Sequence, residues 1–121
     1  MASTAAINEW PWPDTLDAVV AAPKHHRVVL ENEHVRVLEV RIAPGETVPL
    51  HTHRWPSVLH MERWVDFIRR DEHGNQVLDT RTLPPEAKSL GPLWAAPLVP
   101  HTVENVDSIE FVGIAVEIKT A

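Results

Sequence analysis

Proline is the residue that most restricts what this chain can fold into. The 121-residue sequence contains eleven prolines, and they separate many short apolar runs that are rich in β-branched residues. A proline inside a helix removes a hydrogen bond and clashes with the preceding turn, whereas turns and sheet edges accept it. Together with the β-branched content of the runs, the prolines exclude an all-helical protein and predict an all-β architecture.

Strand signals dominate the chain after its N-terminal segment. Residues 35–42 (VRVLEVRI) alternate imperfectly, and residues 71–75 (DEHGN) form the clearest hairpin loop. Residues 57–70 predict a long extended segment, or two strands separated by a bulge near residues 62–63. Residues 109–118 (IEFVGIAVEI) are apolar on both faces, which predicts burial on both sides. We expect about eight or nine short strands, a number typical of a sandwich or barrel.

The N-terminal segment differs from the rest of the chain. Residues 1–23 predict an arm and a short helix, and residues 24–121 predict the β domain. Residues 10–13 (WPWP) cannot be helical, because a residue that precedes proline is pushed towards extended conformations. We expect both tryptophans of this stretch to pack onto the domain or onto a second subunit. Asp14 is expected to cap a helix over residues 15–22.

Charge and composition exclude several classes of protein. The net charge is −6 and there is no basic stripe, which argues against nucleic-acid binding. Two short basic stretches, residues 24–27 (KHHR) and 69–70 (RR), are interpreted as solvated surface patches. The absence of cysteine removes disulfides, thiolate metal sites and cysteine nucleophiles. With neither a signal-peptide pattern nor a long apolar run, we expect a cytoplasmic protein that does not enter membranes.

Two histidines close to a turn are the main functional signal. Pro44 and Gly45 favour a turn, and the following residues predict a strand that carries His51 and His53. Side chains two apart on a strand share a face, and their Cα atoms are roughly 6.5 Å apart. Both imidazoles can therefore reach one metal ion.

The chain matches two motifs of a known family. Gly45, His51 and His53 fit a first motif of a glycine, five residues and then His-x-His. His101 and Asn105 fit the end of a second motif, a histidine followed after three residues by asparagine. With this spacing the chain resembles the small single-domain cupins over most of its length. The resemblance implies a double-stranded β-helix, or jelly-roll, barrel.

The resemblance also implies a metal site. His51, His53 and His101 would be the histidine ligands. The family's glutamate ligand is expected at position 57 or 58, which are Ser57 and Val58 here, so the ligand set is reduced to three histidines. Imidazole suits transition metals better than magnesium or calcium, and the implied cofactor is Zn, Ni, Fe or Mn.

Two functions follow from the resemblance. One is a metal-dependent dioxygenase or isomerase that acts on a small molecule. The alternative, which the missing glutamate favours, is a metal-free cupin that binds a small ligand or has a structural role. No Ser-His-Asp or paired-carboxylate arrangement indicates catalytic residues. We also expect a homodimer, because the tryptophan arm and the apolar last strand offer surface to bury.

The remaining candidates have simpler interpretations. His60 has the strand parity that points away from the site. Four further histidines are predicted to lie in loops and to be solvated: His25, His26, His34 and His73. Three tryptophans are expected to line the barrel or belong to its core: Trp55, Trp64 and Trp94. Arg54 either meets an anionic substrate or lies on the surface, Met61 lines a cavity or packs in the core, and Asn105 closes a turn.

Overall fold

The structure is a computed structural model that describes residues 10–119. It contains nine strands, one short α-helix and three 3-10 turns within that range. The helix is α1 (Ala18–Ala21). The strands are β1 (His26–Glu31), β2 (Val35–Ile42), β3 (Thr47–His53), β4 (Ser57–Met61), β5 (Phe67–Asp71), β6 (Gln76–Asp79), β7 (Leu93–Ala95), β8 (Leu98–Asn105) and β9 (Phe111–Ile118). The 3-10 turns are Asp14–Leu16, Thr80–Thr82 and Pro85–Ala87. Among these helices, none is long and apolar enough to cross a membrane.

The strands form two antiparallel sheets. One sheet has the order β1-β2-β9-β4-β7 and the other has the order β3-β8-β5-β6. Neighbours in the sheets are often far apart in sequence, since β2 pairs with β9 and β3 pairs with β8. The predicted all-β class is therefore confirmed, and so is the hairpin between β5 and β6.

The core lies on the inner faces of the two sheets. Ile42, Val48, Met61, Val65 and Phe111 form one buried cluster. Burial alternates along β9, so that only every second side chain points inwards. The prediction that this strand is buried on both sides is wrong in that respect. Its outer face carries Ile114, which is 37% exposed, because no further layer of the described residues covers that side of the sheet.

The segment from residue 57 to residue 70 contains a change of sheet. The expected interruption is present, but it is a crossing of residues 62–66 rather than a bulge, since β4 and β5 belong to different sheets. Val65 lies in this crossing and is fully buried. After the crossing, β5 pairs with β8.

The N-terminal helix is shorter than predicted. Asp14 begins a 3-10 turn, and Asp17 is the residue that caps α1, with its carboxylate accepting a hydrogen bond from the Val19 N–H (3.4 Å). Asp17 is extended, with φ of −56° and ψ of 141°, and its carboxylate is also held by Arg36. A single helix over residues 15–22 is therefore interrupted at this carboxylate. The rings of Trp10 and Trp12 meet edge to face, with centroids 4.7 Å apart.

Asn105 connects the end of the second predicted motif to the start of the first. Its side-chain amide donates to the carbonyl oxygens of Ile42 and Ile109, each at 2.9 Å, and its amide oxygen accepts from the Asp107 N–H at 2.8 Å. Its backbone carbonyl accepts from the N–H of Gly45, a residue with a positive φ of 78° that suits glycine. Asn105 thus closes a turn, as predicted, and links the turn before β3 to the end of β8.

Candidate metal centre

Four imidazole rings meet inside the β domain. They come from three strands: His26 from β1, His51 and His53 from β3, and His101 from β8. The centroid of the His51 ring lies 5.0 Å from that of His26, 4.9 Å from that of His53 and 4.2 Å from that of His101. β1 belongs to the five-stranded sheet and the other two strands to the four-stranded sheet. The cluster therefore bridges the two sheets.

Strand register explains why three of these rings lie together. His51 and His53 are two residues apart on β3, and His51 is the direct cross-strand partner of His101 on β8. Directly opposed residues of an antiparallel pair project to the same face. The expected meeting of His51, His53 and His101 is a consequence of this pairing, with 5.7 Å between the centroids of His53 and His101.

The tightest group of possible ligand atoms includes a different third residue. Ring nitrogens of His26, His51 and His53 all lie within 4.8 Å of one another. Two nitrogens bound to one zinc ion at about 2.0–2.1 Å in tetrahedral geometry are about 3.3 Å apart, so small movements of the rings would bring these atoms onto one ion. These three histidines are placed to hold a metal ion, and His101 lies beside them.

Hydrogen bonds at Nδ1 determine which nitrogen each ring offers. In three of the rings, Nδ1 contacts a backbone carbonyl oxygen: His26 with Ala22 (3.0 Å), His51 with Pro49 (2.8 Å) and His101 with Val99 (2.7 Å). A carbonyl oxygen can only accept, so Nδ1 must carry the proton. In a neutral imidazole the other nitrogen, Nε2, then keeps its lone pair and is available as a ligand atom.

Burial keeps these rings neutral. Desolvation, with further contributions from neighbouring histidines, lowers the pKa of His26 to about 4, of His51 to about 2 and of His101 to about 3. At neutral pH the neutral form, with a single ring proton, is therefore strongly favoured. Metal ions bind the neutral form of histidine, so these three rings need not lose a proton before binding.

The fourth ring is oriented by a buried carboxylate. Nδ1 of His53 lies 3.1 Å from Oε2 of Glu117, a side chain that is fully buried. The other oxygen of Glu117 accepts from Nε of Arg36 at 2.6 Å. Arg36 in turn donates two bonds, of 2.9 and 3.0 Å, to the carboxylate of Asp17. A carboxylate behind a ligating histidine fixes the ring and raises its basicity, and this chain of charges supplies that arrangement.

The charge on Arg36 is secured by its partners. Burial acts to lower the pKa of the guanidinium, but the hydrogen bonds that it donates to Asp17 and Glu117, together with their negative charges, outweigh burial, and the pKa of Arg36 lies above its ordinary value. The guanidinium also lies over the Trp55 ring, with Cζ 5.0 Å from the ring centroid. Its positive charge compensates the buried carboxylate of Glu117.

Glu117 lies close to where the family's glutamate was expected. Ser57 on β4 is the direct cross-strand partner of Glu117 on β9, so the two side chains share a face. A carboxylate is therefore present at this place, but it belongs to the neighbouring strand β9. Sequence reasoning did not identify Glu117, although a charged residue with inward parity in an otherwise apolar strand was an available signal.

The prediction that His25 and His26 are solvated is wrong. Their exposed fractions are 5% and 6%. His26 opens β1 opposite Val40, and the Nδ1 atom of His25 is hydrogen-bonded to the Arg41 carbonyl oxygen at 2.9 Å. The sequence around these histidines is polar, and the flanking Lys24 and Arg27 are indeed exposed. The pattern therefore did not indicate that the two histidines are buried. The other loop histidines and His60 are exposed as predicted: His34, His60 and His73.

Several weaker candidates are also placed by the structure. Met61 and Trp64 belong to the core or pack against it, whereas Trp94 is 66% exposed on the edge strand β7. Arg54 is exposed. Arg69, expected on the surface, instead has a buried Nε atom.

The histidine pKa values predict how stability depends on pH. An unfolded histidine has a pKa of about 6.5, so below that pH the unfolded chain binds protons that the buried rings exclude. We expect the free energy of unfolding of metal-free protein to decrease between about pH 7 and pH 5, by up to about 1.4 kcal/mol per pH unit for each buried histidine. Urea denaturation in the presence of a chelator measures this, and His101→Gln should reduce the slope whereas His73→Gln should not. Stability that stays constant or increases on acidification would contradict the proposed burial of neutral rings.

Comparisons with known proteins identify the fold in which the histidine cluster lies. No protein-family model matches the sequence, and no curated protein does either. A cupin domain from Bordetella pertussis Tohama I is 24% identical, with 78% of this chain and 92% of that chain covered and a TM-score of 0.60.

Two further solved structures are similar. An RmlC-like cupin family protein with a double-stranded β-helix fold, from Methanocaldococcus jannaschii, is 15% identical, with 77% of each chain covered and a TM-score of 0.56. The polyketide cyclase RemF from Streptomyces resistomycificus is 12% identical, with 81% of this chain and 67% of that chain covered and a TM-score of 0.52. The chain therefore has the small cupin-type double-stranded β-helix fold.

Proposed function

We propose that this protein binds one divalent transition metal ion through Nε2 atoms of His26, His51 and His53, with His101 as an additional ligand. The observation that carries the proposal is the group of three ring nitrogens within 4.8 Å of one another. It is supported by the Nδ1 hydrogen bonds, which leave Nε2 free in the rings that contact the backbone. His101 is included because its ring is adjacent to that of His51 and its Nδ1 is held in the same way.

The donor set selects a class of metal. Neutral imidazoles suit Zn, Ni and Fe, and they accommodate Mn less strongly, whereas Mg and Ca prefer oxygen ligands. The nearby carboxylate of Glu117 is engaged by His53 and Arg36, so we assign it to orienting His53 rather than to binding the ion. This ligand set differs from the three histidines that the sequence resemblance implied, His51, His53 and His101, by the addition of His26.

The proposed activity is chemistry on a small molecule, either dioxygenase-like or isomerase-like. A bound ion of this kind would supply Lewis acidity and a place where a substrate oxygen can be polarised. The protein's own contribution is to hold oriented rings, of which those of His26, His51 and His101 are buried. RemF is a polyketide cyclase, and at 12% identity its likeness concerns the fold rather than the reaction.

Metal content tests the proposal directly. Protein purified without an affinity tag, loaded with zinc and dialysed, should retain about one ion per chain by elemental analysis. Substitution of His51 by alanine should remove most of it, as should His26→Ala and His53→Ala. His60→Ala is the matched control, since His60 is exposed on β4.

The outcomes separate the two candidate functions. Wild-type protein that retains no ion, or His51→Ala protein with unchanged metal content, would contradict the metal site and favour the metal-free ligand-binding alternative. Loss of the ion in His101→Ala together with full retention in His26→Ala would restore the ligand set His51, His53 and His101.

We also propose a homodimer, formed along the edge of the five-stranded sheet. β1 is the edge strand, and it exposes three consecutive apolar side chains: Val28, Val29 and Leu30. An exposed apolar edge strand favours pairing with another strand. β9 cannot take part in edge pairing, because it lies in the middle of that sheet.

Light scattering of the eluted protein tests this assembly. Wild-type protein is expected to be dimeric at micromolar concentration, and Leu30→Glu is expected to be monomeric because the charge would be buried in the interface. Val77→Glu is a control, since Val77 is equally exposed but lies on the edge of the other sheet. A monomeric wild-type protein would contradict the proposal.

A further inference from the structure

Arg69 lies on the inner face of the four-stranded sheet, next to the histidine cluster. It is on β5, and its direct partner on β8 is Val103. Val103 is two residues from His101 on the same strand, so Arg69 and His101 project to the same face as diagonal neighbours. The charge on Arg69 also contributes to lowering the pKa of His101, which agrees with this proximity.

The guanidinium of Arg69 has no compensating partner among residues 10–119. Its Nε atom is buried and makes no hydrogen bond there, and the side chain makes no ion pair with the described carboxylates. Burial lowers its pKa, with no opposing contribution. Cζ lies 5.7 Å from the centroid of the Phe67 ring, which packs against the charge without neutralising it.

Other arginines show that the fold does supply partners elsewhere. Arg36, which is buried, binds both Asp17 and Glu117. Arg70, the neighbour of Arg69 on the opposite face, binds Glu104 at 2.8 Å. A buried N–H donor that makes no hydrogen bond costs free energy, so the lack of a partner for Nε of Arg69 requires an explanation.

The carboxylate nearest in register is already committed. Asp71 is opposite His101 and has the same strand parity as Arg69. Its side chain accepts hydrogen bonds from the backbone N–H groups of His73 and Asn75, both at 2.9 Å, and so closes the β5–β6 hairpin. This carboxylate therefore does not neutralise Arg69.

We propose that the guanidinium of Arg69 binds a small anion by donating hydrogen bonds to two oxygen atoms of that anion. We also propose that the anion is the group by which a substrate is held beside the histidine cluster. That the anion belongs to a substrate rests on the proposed function, whereas the anion site itself does not. A guanidinium presents N–H donors in a planar fork that matches two oxygens of a carboxylate or a phosphate. Neutral imidazoles, a divalent cation and Arg69 together leave excess positive charge, which an anionic ligand would balance.

Anion binding by metal-loaded and metal-free protein tests the inference. Calorimetric titrations at low ionic strength would use succinate, its neutral diamide and inorganic phosphate as probes. We expect succinate or phosphate to bind and the diamide not to bind, and the preferred probe distinguishes a carboxylate from a phosphate ligand. Arg69→Gln should weaken binding at least about tenfold, the loss expected for a charged hydrogen-bonding partner, and Arg69→Lys should weaken it less.

Arg70→Gln is the matched control, because it removes an arginine from the adjacent position and the opposite face. Its affinity for the probe should remain within about twofold of wild type. A second readout is the melting temperature without probe: Arg69→Met should melt at the same temperature as wild type or higher, because it removes a guanidinium whose buried Nε has no hydrogen-bond partner. If Arg69 had a purely structural role, Arg69→Met would instead lower the melting temperature.

The result that overturns the inference is unchanged probe affinity in Arg69→Gln, or a wild-type protein that binds neither anion. These failures differ from failure of the metal site. If the protein retains zinc but its anion binding does not depend on Arg69, only this inference fails. If anion binding depends on Arg69 in a protein that holds no metal, the proposed metal site fails and the anion site stands.

Discussion

A hydrogen bond from Nδ1 of each imidazole to a fixed acceptor is the interaction on which the candidate site depends. For His51 and His101 the acceptor is the carbonyl of the residue two positions earlier in the same strand, Pro49 or Val99. The strand itself therefore holds the ring and selects the tautomer. Without these bonds a buried imidazole would rotate between orientations, and no convergence of Nε2 atoms would be specified.

The two sheets are also joined through charge. Asp17, Arg36, Glu117 and His53 form a continuous chain from the segment before α1, through β2 and β9, to β3. Its members compensate one another, which is what allows ionised side chains to occupy a protein interior. The same chain ends on one of the cluster histidines, so the packing of the N-terminal segment and the orientation of His53 are coupled. Arg69 differs because its charge has no such compensation among the described residues.

Local sequence patterns predicted the parts of this structure that local geometry determines. Alternation along a strand placed His51 and His53 on one face, and motif spacing correctly brought His101 towards them. The turn at Gly45 and the hairpin after β5 follow from residues that favour those conformations. The shared face of His51 and His53, the turn and the hairpin need no knowledge of which strands are neighbours, whereas the approach of His101 depends on the pairing of β3 with β8.

The residues that the sequence did not reveal depend on strand order. His26 reaches the cluster because β1 lies beside β2 at one edge of the five-stranded sheet, which no periodicity in residues 24–27 indicates. Glu117 reaches His53 because β9 occupies the centre of that sheet next to β4. Long-range pairing of this kind decides which inward polar residues meet, and a polar residue within a short strand looks the same before that pairing is known.

Side-chain nitrogen NMR of the histidines tests the central claim most directly, because it reports which ring nitrogen carries the proton. In metal-free protein near pH 7 the account predicts that His26, His51 and His101 are protonated at Nδ1 and bare at Nε2. Addition of Zn²⁺ should then shift the Nε2 resonances of the ligands His26, His51, His53 and His101 and leave the Nδ1 protons in place. Rings protonated at Nε2, or a zinc-dependent change at Nδ1 instead, would contradict the account.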